Sequence, residues 1–271
     1  MTQGYFEGLA ERYDRYRPGV PPEACAVLSS FVEPEADRPA RLLDLGTGTG
    51  QVIFDCGSTF GTLVGVELDP KMVEIARNKA RNHPEVSGKR VKWVVASAEE
   101  YLANTDDLFD LVTICRAFHW IDQAGVLQLL DRVVAPRGKV VVCGDGSLWN
   151  APDEWAKAIR ATVQEFLGEE RRARSSKFTH HDRPYIEIMQ ESPFSDAQRL
   201  EVRGVREWTI EQIIGYLFST TFASPELFGS RVGGFERRIR ERLTEYQGSG
   251  SLKESYEFTL VVGQRPHRST R

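Results

Sequence analysis

Leu42-Leu-Asp-Leu-Gly-Thr-Gly-Thr-Gly-Gln51 is the stretch on which the reading of this 271-residue chain turns. Leu42, Leu43 and Leu45 surround Asp44 in a short apolar run, the pattern of a strand buried in a parallel sheet. Glycines at 46, 48 and 50 then demand a tight turn, and bare backbone in such a turn lets a ligand lie against it. Gln51 to Phe60 carries no proline and starts a helix whose free N–H groups face the same ligand. Thr62-Leu-Val-Gly-Val-Glu67 follows as a second apolar strand, ending in a carboxylate that can accept two hydrogen bonds from a ribose diol. Strand, glycine turn, helix, strand and acid make a nucleoside-binding half-fold.

Spacing selects among nucleosides. The dinucleotide fingerprint wants a glycine where Gln51 stands, so a pyrophosphate cradle fits less well. Asp44-x-Gly46-x-Gly48-x-Gly50 followed by Gly65-Val66-Glu67 instead resembles motif I and the second-strand acid of the class I S-adenosylmethionine-dependent methyltransferases. The resemblance implies an α/β, Rossmann-like, seven-stranded doubly wound sheet with its last strand antiparallel. It implies further an N-terminal helical lid over residues 1–40, a cofactor-binding core over 41–146, a cap or substrate region with strand 6 over 147–250, and a final strand and tail over 251–271. The cofactor expected is S-adenosyl-L-methionine. Asp44, Gly46, Thr47, Gly48 and Gly50 would hold its methionine end, and Glu67 and Leu68 its ribose.

Composition bounds the rest. A 41% apolar content suffices for a sizeable core, and a net charge of −4 gives no basic footprint for a nucleic-acid backbone. No apolar run reaches membrane-spanning length, and the N-terminus lacks a basic then hydrophobic leader, so a cytoplasmic protein with no nucleic-acid or membrane partner is expected. Cys25, Cys56, Cys115 and Cys143 are scattered without a Cys-x-x-Cys, which reads as four buried thiols of a reduced compartment and no metal site.

Ahead of the sheet, Phe6-x-x-x-Ala10-x-x-Tyr13-Asp14-x-Tyr16-Arg17-Pro18 carries aromatics at near-helical spacing and breaks at Pro18, and Glu23 to Phe31 forms a second helix. The pattern looks like the lid of small-molecule methyltransferases. A tyrosine face near a sulfonium gains cation–π attraction and an arginine can pair with a carboxylate, so Tyr13 and Arg17 are candidate cofactor contacts as well as candidate packing residues. Asp69-Pro70 caps the next helix. Val91 to Ala96 is the third strand. It leads into Ser97-Ala98, where the resembled family commonly has an acid on the adenine amino group and a hydroxyl stands instead.

Phe109 to Cys115 is the fourth strand, and Arg116-Ala117-Phe118-His119-Trp120 lies just past its carboxyl end, where open α/β sheets bind ligands. The segment resembles the Ala-x-His-Trp motif of the trans-aconitate methyltransferase-like subgroup. Arg116 and Ala117 are expected at the cofactor and Phe118 and Trp120 at the substrate. His119 either takes a proton from the acceptor or walls the pocket. Lys139 to Cys143 is the fifth strand, after which regular alternation stops. A helix over about Pro152–Leu167 precedes a polar run, Glu169 to Arg183, read as solvent-exposed loop. Trp149, Trp155, Phe178 and His180 are candidate substrate-side residues of the cap. Ala197 to Trp208 alternates as a strand, Thr209-x-x-Gln212 opens a helix through Phe218, Phe222 to Arg231 is irregular, Phe235–Tyr246 is a helix, and Glu254 to Val262 is the last strand.

The acceptor expected is a hydroxyl or amine of a small polar metabolite, in natural-product tailoring such as that of an amino sugar. The alternatives are a carboxylate O-methyltransferase of the trans-aconitate type, methylation at carbon, a non-catalytic cofactor-binding regulator and a nicotinamide oxidoreductase. Oligomeric state is not written in the sequence.

Overall fold

The structure, a computed structural model, describes residues 9–32, 38–169, 172–173, 176–177, 183–248 and 250–266. The apolar runs become β1 (Arg41–Leu45), β2 (Thr62–Glu67), β3 (Arg90–Val95), β4 (Phe109–Cys115) and β5 (Val134–Asp145), all parallel. Between them lie α3 (Gln51–Cys56), α4 (Pro70–Ala80), α5 (Ala98–Ala103) and α6 (Gln123–Val133), while α1 (Ala10–Tyr16) and α2 (Pro22–Ser30) precede the sheet. Asp69 caps α4 as expected, its Oδ1 accepting the N–H groups of Lys71 and Met72.

After α7 (Glu154–Leu167) and a two-residue ladder between β6 (Arg172–Ala173) and β7 (Ser176–Lys177) come α8 (Tyr185–Gln190), β8 (Asp196–Trp208), α9 (Ile210–Phe218), α10 (Pro225–Phe228), α11 (Val232–Gln247) and β9 (Leu252–Gln264). The seven-stranded order is β3-β2-β1-β4-β5-β9-β8, with β9 antiparallel to both neighbours. This is the doubly wound sheet expected. Strand order reverses between β1 and β4, which puts the glycine turn and the residues after β4 side by side.

Alternation along β1 sends Leu43 and Leu45 to a core under α5, α6 and α8, and Leu42 to a core under α2 and α3. A third apolar cluster, with Trp155, Ile159, Ile213, Leu217 and Phe235, is the cap's own, built from α7, α9, α10 and α11. Trp155 is 6% exposed in that cluster, so it holds the cap together.

Three readings change. The polar run carries the β6–β7 ladder, and the stretch read as irregular contains α10. The turn of α8, where Ile188 and Met189 pack on the sheet, has too few residues to show a period. Cys25 and Cys56 are not free thiols: they form a disulfide joining α2 to α3, because the packing of these helices brings Cα atoms 31 residues apart in sequence to 4.9 Å. Cys115 and Cys143 are free. Among the described residues no helix is long and apolar enough to cross a membrane.

Candidate cofactor site

Gly46, Gly48 and Gly50 take φ values of 70°, 56° and 88°, the left-handed region that favours glycine. A side chain would also lack space: a Cβ on Gly46 would stand 2.4 Å from that of Ala117, and one on Gly50 would stand 2.7 Å from the rings of Phe54 and Trp93. Trp93 comes from β3, the outermost strand, and its ring also lies 2.7 Å from where a Cβ of Gly65 would be. Val66 O fastens the turn to β2 by accepting the N–H groups of Gly46 and Thr47, at 2.9 and 3.0 Å.

Asp44 is 1% exposed. Its Oδ1 accepts the Thr113 hydroxyl at 2.7 Å from the facing strand β4, whereas Oδ2 and the Thr47 hydroxyl are buried with no protein partner. Burial pushes the Asp44 carboxyl up to about 7, against the lowering effect of the neighbouring Thr47 and Thr113 hydroxyls. Glu67 accepts the N–H groups of Gly48 and Asp69, both at 3.0 Å, which clamps its carboxylate beside the turn. Burial raises the Glu67 carboxyl too, and those two N–H groups partly offset it.

The lid covers this floor. Tyr13 lies over Gly48, and Gln51 Nε2 donates to Arg17 O at 3.1 Å. Tyr13, Asp44, Gly46, Thr47, Gln51, Val52, Cys115 and Arg116 line a narrow cleft. Arg17 is turned toward the cap: its guanidinium lies over the rings of Tyr13 and Tyr216, at 5.2 and 4.7 Å, and its Nε donates to the Ser219 hydroxyl at 3.0 Å.

At the end of β4, Arg116 has φ 55°, the one positive value outside glycine among the described residues. It redirects the chain into the one-turn helix Phe118–Trp120, where the rings of His119 and Trp120 lie 4.7 Å apart. Phe118 is not brought to the cleft: it is 1% exposed and packs edge-on against Tyr185 of α8, so the expectation that it contacts substrate gives way to a core role. Ser97 is the N-cap of α5, its hydroxyl accepting from Glu100 N at 3.1 Å, and Ala98 is buried behind it. A serine hydroxyl so used still has its own proton to donate. Leu68 is half-buried after Glu67, and Trp149 is half-buried, packed edge-on against Phe222 in the cap. Phe178 and His180 lie outside the described residues.

Sequence reasoning missed Gln51, Val52 and Cys115 as lining residues. Their position at the first turn after the glycines and at the last residue of β4 was a usable signal.

Residues 43–142 match the family described as Methyltransferase domain. An uncharacterized methyltransferase of Mycobacterium tuberculosis is 27% identical over 217 residues, 80% of this chain and 76% of that protein. A malonyl-[acyl-carrier protein] O-methyltransferase of Halorhodospira halophila is 32% identical over 157 residues, 56% of this chain and 51% of that one. A protein from Anaeromyxobacter dehalogenans, solved as a candidate type II methyltransferase, shares the fold with a TM-score of 0.64 at 18% identity, over 93% of this chain and all of that one. Residues 43–142 thus carry a methyltransferase domain, and the sheet order and glycine turn around it are similar to those of the class I S-adenosylmethionine-dependent methyltransferases. None of these likenesses singles out the trans-aconitate type.

Proposed function

We propose that this enzyme methylates a hydroxyl or amine of a small polar molecule, with the donor lying across the 42–51 turn under the lid. The residues present fit that donor. Asp44 Oδ2 and the Thr47 hydroxyl are buried polar atoms that lack a protein partner and suit an ammonium group and its neighbouring carboxylate. Glu67 retains lone pairs for a ribose diol beyond the two N–H groups it already accepts. Ser97 and Ala98 would border the adenine, Tyr13 and Arg17 would roof the methionine end, and Arg116 and Ala117 would edge the reacting side.

When bound, the donor supplies an electrophilic methyl group on a sulfonium. The chain's own task is to orient the acceptor and exclude water, and orientation of this kind lowers a barrier by ~7–11 kcal/mol. His119 would take the acceptor's proton, a role supported by its position on the turn that leaves β4 beside the switch in strand order. Trp120 and Trp149 would wall the acceptor.

The observation that carries the choice of acceptor concerns Arg116. Carboxylate methylation wants a cation at the acceptor, and the Arg116 guanidinium is already ion-paired with Asp145 at 2.7 Å and donates to lid carbonyls. The relatives' names span different acceptors: one is named for malonyl-[acyl-carrier protein], and another, from Thermus thermophilus, for demethylmenaquinone. Their substrates do not transfer.

The test is calorimetric titration with S-adenosylhomocysteine, followed by methyl transfer to a panel of amines, alcohols and carboxylic acids. Turnover on amines or alcohols that falls sharply in His119→Ala, with cofactor affinity kept, is the expected result. Turnover confined to carboxylic acids and indifferent to His119 would establish the carboxylate reading, and binding without turnover on any acceptor would establish a regulator.

A further inference from the structure

A chain of buried ion pairs runs from the lid to the far edge of the sheet. Arg116 Nε donates to Asp145 Oδ1 at 2.7 Å, and Arg206 Nη2 donates to Asp145 Oδ2 at 3.0 Å. Glu254 Oε2 in turn accepts Arg206 Nη1 at 3.1 Å and Trp208 Nε1 at 2.7 Å. The side chains of Arg116, Asp145, Arg206 and Glu254 are 15%, 8%, 18% and 7% exposed. At the lid end, Arg116 Nη1 donates to Pro18 O at 2.8 Å and Nη2 to Gly19 O at 3.4 Å, in the link between α1 and α2.

Two features show that this arrangement is built rather than incidental. Arg116 sits in left-handed backbone, a conformation that strains a non-glycine residue, and it turns the side chain off the line of β4. Residue 144 is a glycine, and a Cβ there would stand 3.0 Å from Arg116 Cγ, so the path of the side chain depends on its absence. Burial works to raise the Asp145 carboxyl, and the Arg116 and Arg206 guanidiniums outweigh it, leaving the group below its ordinary value and ionised.

We infer that Asp145 is a positioning residue for cofactor retention: by gripping Arg116 Nε it aims the rest of the guanidinium at the Pro18 and Gly19 carbonyls and latches the lid over the cleft. Arg206 and Glu254 fix Asp145 from behind, so the latch is anchored on the antiparallel β8–β9 pair and not on the glycine turn. The lid's grip on the cap, Arg17 on Ser219, is separate from it. The inference rests on the cofactor lying in the cleft beneath Tyr13.

Two readouts test it: the dissociation rate of S-adenosylhomocysteine by displacement, and the rate of trypsin cleavage of the lid at the exposed Arg12 and Arg15 without ligand. Asp145→Asn is expected to raise both by about tenfold or more, since it strands two partly buried guanidiniums. Gly144→Ala keeps every charge but crowds Arg116, and is expected to raise both by a smaller factor. Arg203→Ala, exposed on the same strand as Arg206, is expected to change neither. Unchanged dissociation and lid cleavage in a folded Asp145→Asn protein overturn the latch. If that variant does not fold, Gly144→Ala decides in the same way. Wild-type protein that binds no S-adenosylhomocysteine defeats the cofactor reading instead, and ligand-free cleavage then still decides whether Asp145 holds the lid.

Discussion

The floor of the cofactor cleft and its roof are made of different materials. The floor is backbone: three left-handed glycines, two N–H groups on Val66 O, and strand register that sets Asp44 beside Gly65 and Thr113. The roof is side chains: the Arg17 guanidinium between two tyrosine rings, Lys79 on Asp14 at 2.6 Å, and Arg116 on two carbonyls. Backbone geometry has no nearby alternative, so the floor is fixed before a ligand arrives. Ion pairs and cation–π contacts of this exposure are each worth about 1 kcal/mol, so the roof can open and close. The comparison teaches a division of labour: shape comes from the floor, and exchange from the roof.

The comparison can be broken or sharpened by substitution. The largest effect is expected at Gly46→Ala, where left-handed backbone and overlap with Ala117 together should cost about 2–5 kcal/mol of stability and abolish cofactor binding; urea unfolding and calorimetry read both. Next, Glu67→Ala should weaken S-adenosylhomocysteine binding by ~1.5–3 kcal/mol, the scale of a hydrogen-bonded charge. Unchanged affinity would remove Glu67 from the site.

Asp44 supplies a pH test with two opposite signs. Its folded carboxyl titrates near 7, above the ordinary carboxylate value of 3.8, so the folded protein binds its proton more tightly than the unfolded chain does. Its contribution to stability is therefore greatest below the unfolded value and is lost as pH rises through about 7. Affinity for a ligand ammonium should do the reverse, climbing by up to about tenfold per pH unit as Asp44 ionises, and Asp44→Asn should flatten both profiles. The smallest effect belongs to the roof: Arg17→Ala should cost about 1 kcal/mol in affinity, expressed in the dissociation rate, with melting little changed. A loss at Arg17 as large as that at Gly46 would abolish the distinction between floor and roof.

The same distinction explains what the sequence made legible. Glycine spacing, the acid at the end of β2, Asp69 as a cap and the Thr209–Gln212 capping box are local statements, and local chemistry settled them. Strand order followed from the resemblance. The roof depends on side-chain direction across long separations: Arg17 meets Ser219 from 202 residues away, and Arg116 meets Pro18 from 98. Nothing in Tyr-Arg-Pro says that the arginine turns to the cap. Phe118 was misread for a related reason, since a residue past a strand end can point to either layer and this one entered the core beside Tyr185. The Cys25–Cys56 bond needed the packing of α2 on α3, which no Cys-x-x-Cys spacing announced.

Trp93 gives the outermost strand an unusual part in this economy. Edge strands fray first, because one side of their backbone has no neighbour to hold it. Here the edge strand β3 carries the ring that fills the space beneath Gly50 and Gly65, so an opening of that border would withdraw a wedge from under the glycine turn. Amide exchange in β3 and loosening of the turn should then keep the same clock, and the indole, seated at that junction, would make its fluorescence a native reporter of both.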